Sequence, residues 1–186
     1  MRQYFTYAMV LACVLCLSAC ESGPAKPEQQ KAFAARLAED YTAYDKASTD
    51  VQRSQAVQKR QHYMAEWGAA PEFTGWICTV ADVRESHNAD VPRKMLVLEL
   101  DCGDFILSNI LEGKSPDAFA PAGAILEGTN DYDVALRLNA KDTVTVSGRF
   151  MVMDSGHIRE TSFTEAGGMR QPEFGVIYTS IIPAKK

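Results

Sequence analysis

Apolar and polar residues alternate most regularly over residues 143–153. Val144, Val146, Phe150 and Val152 alternate there with Thr143, Thr145, Ser147, Arg149 and Met151. A two-residue period predicts a strand, and Gly148 falls where a bulge or sharp bend would sit. Residues 73–83 and 94–102 also read as strands, rich in β-branched and aliphatic residues and separated by the polar stretch 84–93. Paired as a hairpin with residue numbers summing to 180, they place Cys78 opposite Cys102, Val80 opposite Leu100 and Asp82 opposite Leu98. Trp76, Cys78, Val80, Leu96, Leu98, Leu100 and Cys102 then share one face, which is the predicted core.

Upstream the period changes. Over residues 27–67 Phe33, Leu37, Tyr41 and Tyr44 recur at helical spacing, and Val57, Tyr63, Met64 and Trp67 continue beyond an N-cap signal at Ser48-Thr49-Asp50. Two helices and one bent helix both fit. This aromatic stripe reads as core packing, and Lys59-Arg60 as a solvated helix face rather than an anion site. Downstream, 104–111 reads as a third strand and 112–130 as a Gly- and Pro-containing connection with a helical turn near Phe119. Residues 131–138 form a short amphipathic element with Tyr132, Leu136 and Leu138 inward, followed by a turn at 139–142. After a second turn at Asp154-Ser155-Gly156-His157, 158–164 and 174–182 read as two final strands separated by 165–173.

Composition changes the picture at the N-terminus and in the charge. With 46% apolar, 23% charged and 9% aromatic residues, this is an ordinary globular chain. Arg2, the uncharged run 8–17 and the small residues Ser18 and Ala19 have the layout of a secretory signal peptide, since the run is too short for the about twenty apolar residues of a membrane span. Leu17-Ser18-Ala19-Cys20 resembles the lipobox of bacterial lipoproteins, which implies cleavage before Cys20 and acylation of its thiol. Cys13 and Cys16 fit less well, having bulky Leu11 and Leu15 near the cut. By the same resemblance Glu21, where an Asp would retain the chain in the inner membrane, favours the outer membrane.

Cleavage removes Arg2 and no acids. The mature 167 residues then carry 18 basic against 24 acidic side chains, a net charge of −6, against −5 for the whole chain. Such a body has no basic surplus for nucleic acid and is repelled by anionic lipid. Residues 20–31 read as a short lipidated tether that lets the domain stand off the membrane, followed by a helical segment at 32–67 and a barrel at 73–183.

Of five cysteines, cleavage leaves three. With Cys20 acylated, Cys78 and Cys102 remain as a pair for an oxidising compartment, either bridged or packed as two buried thiols.

Three strands, a helix-containing connection and further strands with a glycine bulge follow the order of an OB-fold. The blocks Phe73-Thr74-Gly75-Trp76-Ile77-Cys78-Thr79-Val80, Lys141-Asp142-Thr143-Val144-Thr145-Val146-Ser147-Gly148-Arg149-Phe150, Ile158-Arg159-Glu160-Thr161-Ser162-Phe163-Thr164-Glu165 and Pro172-Glu173-Phe174 resemble OB-fold domains of uncharacterised bacterial lipoproteins of the tRNA-anticodon-like group. The resemblance spans 52–182 and implies a fold but no activity. The predicted class is α+β, an N-terminal helical segment followed by a five- to six-stranded OB-fold-like Greek-key β-barrel.

Candidate chemistry is sparse. His62, His87 and His157 show no metal-ligand spacing, His87-Asn88-Ala89-Asp90 reads as an exposed loop, and Asp101-Cys102-Gly103-Asp104 as a polar strand end. No GxSxG, SxxK or phosphate-binding glycine loop occurs. The expectation is a protein without cofactor, metal or catalytic residues, joined to the membrane by its anchor and binding an envelope component. An inhibitor or immunity/exclusion lipoprotein that blocks an enzyme or incoming phage or plasmid machinery is the alternative, and an envelope hydrolase a third. OB barrels bind through strands two and three, here Met95, Val97, Glu99 and Asp101 with Phe105 and Leu107 nearby, unless the N-terminal helix covers that face. Loops 84–93 and 112–130 are the candidate rims.

Overall fold

The computed structural model describes residues 24–86, 93–109 and 123–184. Two helices lead. Helix α1 (Glu28–Asp45) follows Pro27, and α2 (Asp50–Ala69) is capped by Thr49, whose hydroxyl accepts from the Gln52 N–H at 3.2 Å. The cap ends the ambiguity in favour of two helices. Residues 28–31, read as tether, are the first turn of α1, because Gln30 is fully buried and its side-chain amide pairs with both backbone groups of Ile77, at 2.7 and 2.8 Å. Polar sequence here marks a docked helix end.

The strands are β1 (Glu72–Ser86), β2 (Met95–Asp101), β3 (Ile106–Ser108), β4 (Ile125–Leu126), β5 (Thr143–Phe150) and β6 (Glu173–Pro183), with α3 (Asn130–Ala135) before β5 and α4 (Glu165–Arg170) before β6. Strand β1 pairs with β5 through its first half and with β2 through its second, so the ring β1–β2–β3–β6–β5 closes, with β3 and β6 parallel. Strand β4 continues the β2 edge where β3 stops. Asn109 spans that gap, accepting from Leu98 N–H and donating to Leu96 and Gly123 carbonyls. The architecture is α+β: N-terminal helices, then a closed five-stranded mixed barrel with one extra strand, OB-fold-like in its order.

The predicted register holds at Thr79–Asp101 and Val80–Leu100, then slips, so that Asp82 faces Glu99 rather than Leu98. An extra residue at Ala81 bends β1 across the barrel corner, which straight alternation does not foresee. Cys78 and Cys102 face each other as predicted and form a disulfide, with Cα atoms 4.3 Å apart and a separation of 24 residues. Closing that loop stabilises the fold by about 3 kcal/mol in the chain-entropy view. Gly148 interrupts the β5–β6 register where expected, since a Cβ there would meet the Ile177 carbonyl and the Phe73 ring.

Three further expectations about the strands and α3 fail. Residues 158–164 make only isolated bridges at Ile158 and Glu160, and the following stretch, read as a connection, contains α4. Leu136 points outward, 56% exposed, because 130–135 coils as a helix that turns Tyr132 and Ala135 inward. Val152 lies beyond the end of β5 and is exposed. The turn near Phe119 lies outside the described residues.

Helix α1 closes the barrel with Phe33, fully buried among Trp67, Trp76, Phe105, Phe150 and Phe174 at centroid distances of 4.9 to 5.4 Å. Several pairs meet edge-on, the arrangement favoured by the ring quadrupole. Phe33→Ala is expected to cost about 4 kcal/mol in denaturant unfolding and to destabilise helices and barrel in one transition; separate transitions would contradict a shared core.

Candidate functional site

Helices α1 and α2 meet the segment 160–170 in a polar cluster with an apolar cleft beside it. Arg60 organises the cluster. Far from lying on a solvated face, it is 3% exposed; Nη1 donates to the Gly168 carbonyl at 2.7 Å and Nη2 to Glu160 Oε2 at 3.0 Å. Its Nε is buried and, among the described residues, has no hydrogen-bond partner. Burial lowers the Arg60 pKa, opposed by the charges of Glu160 and Asp40. Asp40, fully buried, takes Arg36 Nε at 3.3 Å, and desolvation raises its pKa against that pairing. Lys59 reaches Glu39 at 2.9 Å, and the Arg36 guanidinium sits 5.0 Å from the Tyr63 ring centre.

The loop before α4 is pinned at three points. Thr161 N–H donates to the Glu173 carbonyl, Ser162 Oγ accepts from the Glu173 N–H at 3.0 Å, and Thr164 caps α4 by accepting from the Gly167 N–H at 3.0 Å. A Cβ at Gly168 would press on the Glu160 carboxylate, which would have to shift, and on Ser162. Between these pins Phe163 turns outward and is 102% exposed. It flanks a cleft of about 280 Å³ with Val57, Met64 and Met169 on its walls and Glu160 and Glu165 among its polar lining. Tyr44 Oη donates to Glu165 at 3.2 Å, tying the end of α1 to this rim.

The strand two–three face is not an open groove along its length. Met95 is fully buried against Ala124 and Leu126, and Val97 is buried. Phe105 and Leu107 belong to the barrel core, not to the face. At Met95 the cover is the β4 region; α1 packs on the barrel end instead. Glu99 stays partly exposed, 3.6 Å from Arg84. The Glu173 pKa is raised by burial first and by the Glu99 charge second.

A second pocket, about 320 Å³, surrounds the disulfide and is lined by Pro24, Lys26, Asp101, Gly103 and Thr143. Lys26 Nζ donates to the Cys102 carbonyl at 2.8 Å, and Asp101 accepts from the Gly103 N–H at 2.7 Å, so the acidic run 101–104 forms a tight bend. His62 is exposed on α2 beside Glu66 at 3.5 Å, and His157 closes the turn at 154–157. Cys20 and His87-Asn88-Ala89-Asp90 lie outside the described residues, as do most of loops 84–93 and 112–130. Among the described residues no three His, Cys, Asp or Glu side chains gather for a metal ion.

Sequence reasoning missed the Phe163 cleft because strand alternation was read through 158–164. The signal was present: Thr164 as N-cap, Glu165 in the first turn and Pro172 as a stop mark a short helix. Comparison with protein-family models, with curated proteins and with solved structures gives no match.

Arg60→Ala leaves Glu160 and the Gly168 carbonyl without their donor and is expected to cost about 3 kcal/mol, whereas Arg60→Met combined with Glu160→Gln recovers most of the loss in denaturant unfolding. Because its pKa is raised on folding, Glu173 binds its proton more tightly in the native state. Its contribution is therefore greatest below the ordinary carboxyl range and is lost as pH rises through the folded value. Glu173→Gln is expected to gain in melting temperature over the wild type between about pH 4 and pH 7; a gap that narrows with rising pH contradicts the sign.

Proposed function

We propose that this protein is a non-enzymatic binding module, held on the cell envelope by acylation of Cys20, facing the periplasm and docking a protein partner through the Phe163 cleft. The observation that carries the reading is Phe163 itself, wholly exposed on a loop whose neighbouring side chains are used as pins. Burying such a ring in a partner contributes about 2 kcal/mol, and a pre-set loop loses little freedom on docking. Cleft walls of Val57, Met64 and Met169 extend the apolar contact, while Glu160 and Glu165 supply a polar rim.

The anchor is supported by Leu17-Ser18-Ala19-Cys20 at the end of an uncharged run, and Glu21 favours the outer membrane. A projecting apolar tip also suits the second reading, an inhibitor or immunity/exclusion lipoprotein that inserts Phe163 into an enzyme or an incoming machine. The two readings separate by the identity of the partner.

The test is a crosslinking pull-down from native envelopes with wild type, Phe163→Ser and Cys20→Ala. Wild type is expected to capture one stoichiometric protein, and Phe163→Ser to lose it about thirtyfold with an unchanged melting temperature. Cys20→Ala is expected to leave the membrane fraction. Capture indifferent to Phe163→Ser would remove the cleft from the interface, no partner in a well-expressed sample would sink the binding-module reading, and acyl labelling of Cys20→Ala would sink the anchor.

A further inference from the structure

We propose that the disulfide rim of the barrel is apposed to the lipid headgroups and that α1 carries the Phe163 cleft away from them. The inference rests on the reading that Cys20 is acylated. Chain length sets the first limit. Pro24 lies on the rim of the disulfide pocket, and three residues separate it from Cys20, so the four Cα–Cα steps reach at most about 14 Å. The expected tether of residues 20–31 would allow the domain to stand off; docking of the chain from Pro24 onward removes most of that reach.

The chain is bonded to the body from Lys26 onward. Lys26 bonds the Cys102 carbonyl, Gln29 accepts from Trp76 Nε1 at 3.0 Å and donates to the Glu72 carbonyl, and Gln30 pairs with Ile77. Pulling the chain off this path breaks part-buried bonds to Cys102, Trp76 and Ile77. Helix α1 then runs from Glu28, beside the rim, to Tyr44, beside Glu165 at the cleft, a rise of about 24 Å. The leash is shorter than the helix, so the rim must sit near the bilayer while the cleft need not. The occupant of the rim is therefore a lipid surface, and the cleft is presented to the aqueous side.

The test uses the full-length, oxidised protein purified from envelopes and reconstituted in phosphatidylethanolamine–phosphatidylglycerol vesicles containing a headgroup-nitroxide lipid. An environment-sensitive fluorophore is placed through Ala25→Cys or Asp104→Cys near the rim, two sites so that one misfolded variant does not decide the matter, and through Val51→Cys at the far end of the helical pair. Val51 is 68% exposed and outside the cleft lining. Quenching several-fold stronger at 25 and 104 than at 51 is the expected result. Equal quenching at 51 would lay α1 flat on the bilayer and overturn the proposal alone. No quenching at any site while the protein floats with vesicles would also overturn it alone, by showing a body held off the surface. Wild-type protein that lacks the acyl mass and does not float would overturn the anchor, and this orientation with it.

Discussion

A single phenylalanine from outside the barrel completes its interior. Five strands enclose a space that their own inward side chains do not close at the end bordered by Trp76, Phe105, Phe150 and Phe174, and Phe33 of α1 is the ring that touches all four. Those rings come from β1, the β2–β3 turn, the end of β5 and the start of β6, so one side chain links four elements distant in sequence. Leu37 and Met64 extend the same core into the two helices. Helices and barrel therefore share one hydrophobic interior, and no hinge separates the helical layer from the sheet.

With that layer fixed, polar side chains decide its finer placement. Arg60 is desolvated, which opposes burial, yet its fork joins α2 to the Gly168 carbonyl and to Glu160 at once. A hydrophobic residue would fill the same space without specifying that register. The loop holding Phe163 inherits its position from this junction through Gly168, Thr164 and Ser162.

Much of the barrel was legible in the chain because strands with one buried face write their period plainly. The opposition of Cys78 and Cys102 and the bend at Gly148 follow from spacing and turn chemistry, whereas the choice of two helices over one bent helix, and of a bridge over two thiols, comes only with the structure. What escaped was set by long-range contact. The slip after Val80 depends on the barrel corner, the burial of Arg60 on a carbonyl 108 residues away, and the docking of Gln30 on a strand 47 residues away. Residues 158–164 carry strand-like composition, but in place of a strand partner they have the loop bonds to Glu173 and the start of α4. The Phe163 cleft was hidden for that reason: its exposure is a property of the pins on either side.

Gln29 and Gln30 have a further role in how the chain avoids its own kind. Strand β2 ends at Asp101, opposite Thr79, and leaves the earlier part of β1 without a neighbour on that side. An uncovered strand edge is a template for pairing with another molecule. Two glutamine amides, reaching Ile77 and the Glu72 carbonyl, occupy hydrogen-bonding positions that another strand would take. The opening turn of α1 thus serves as a side-chain substitute for a missing strand and guards against edge-to-edge aggregation. Because the opening turn of α1 precedes β1 in the chain, the guard is made before the edge it covers.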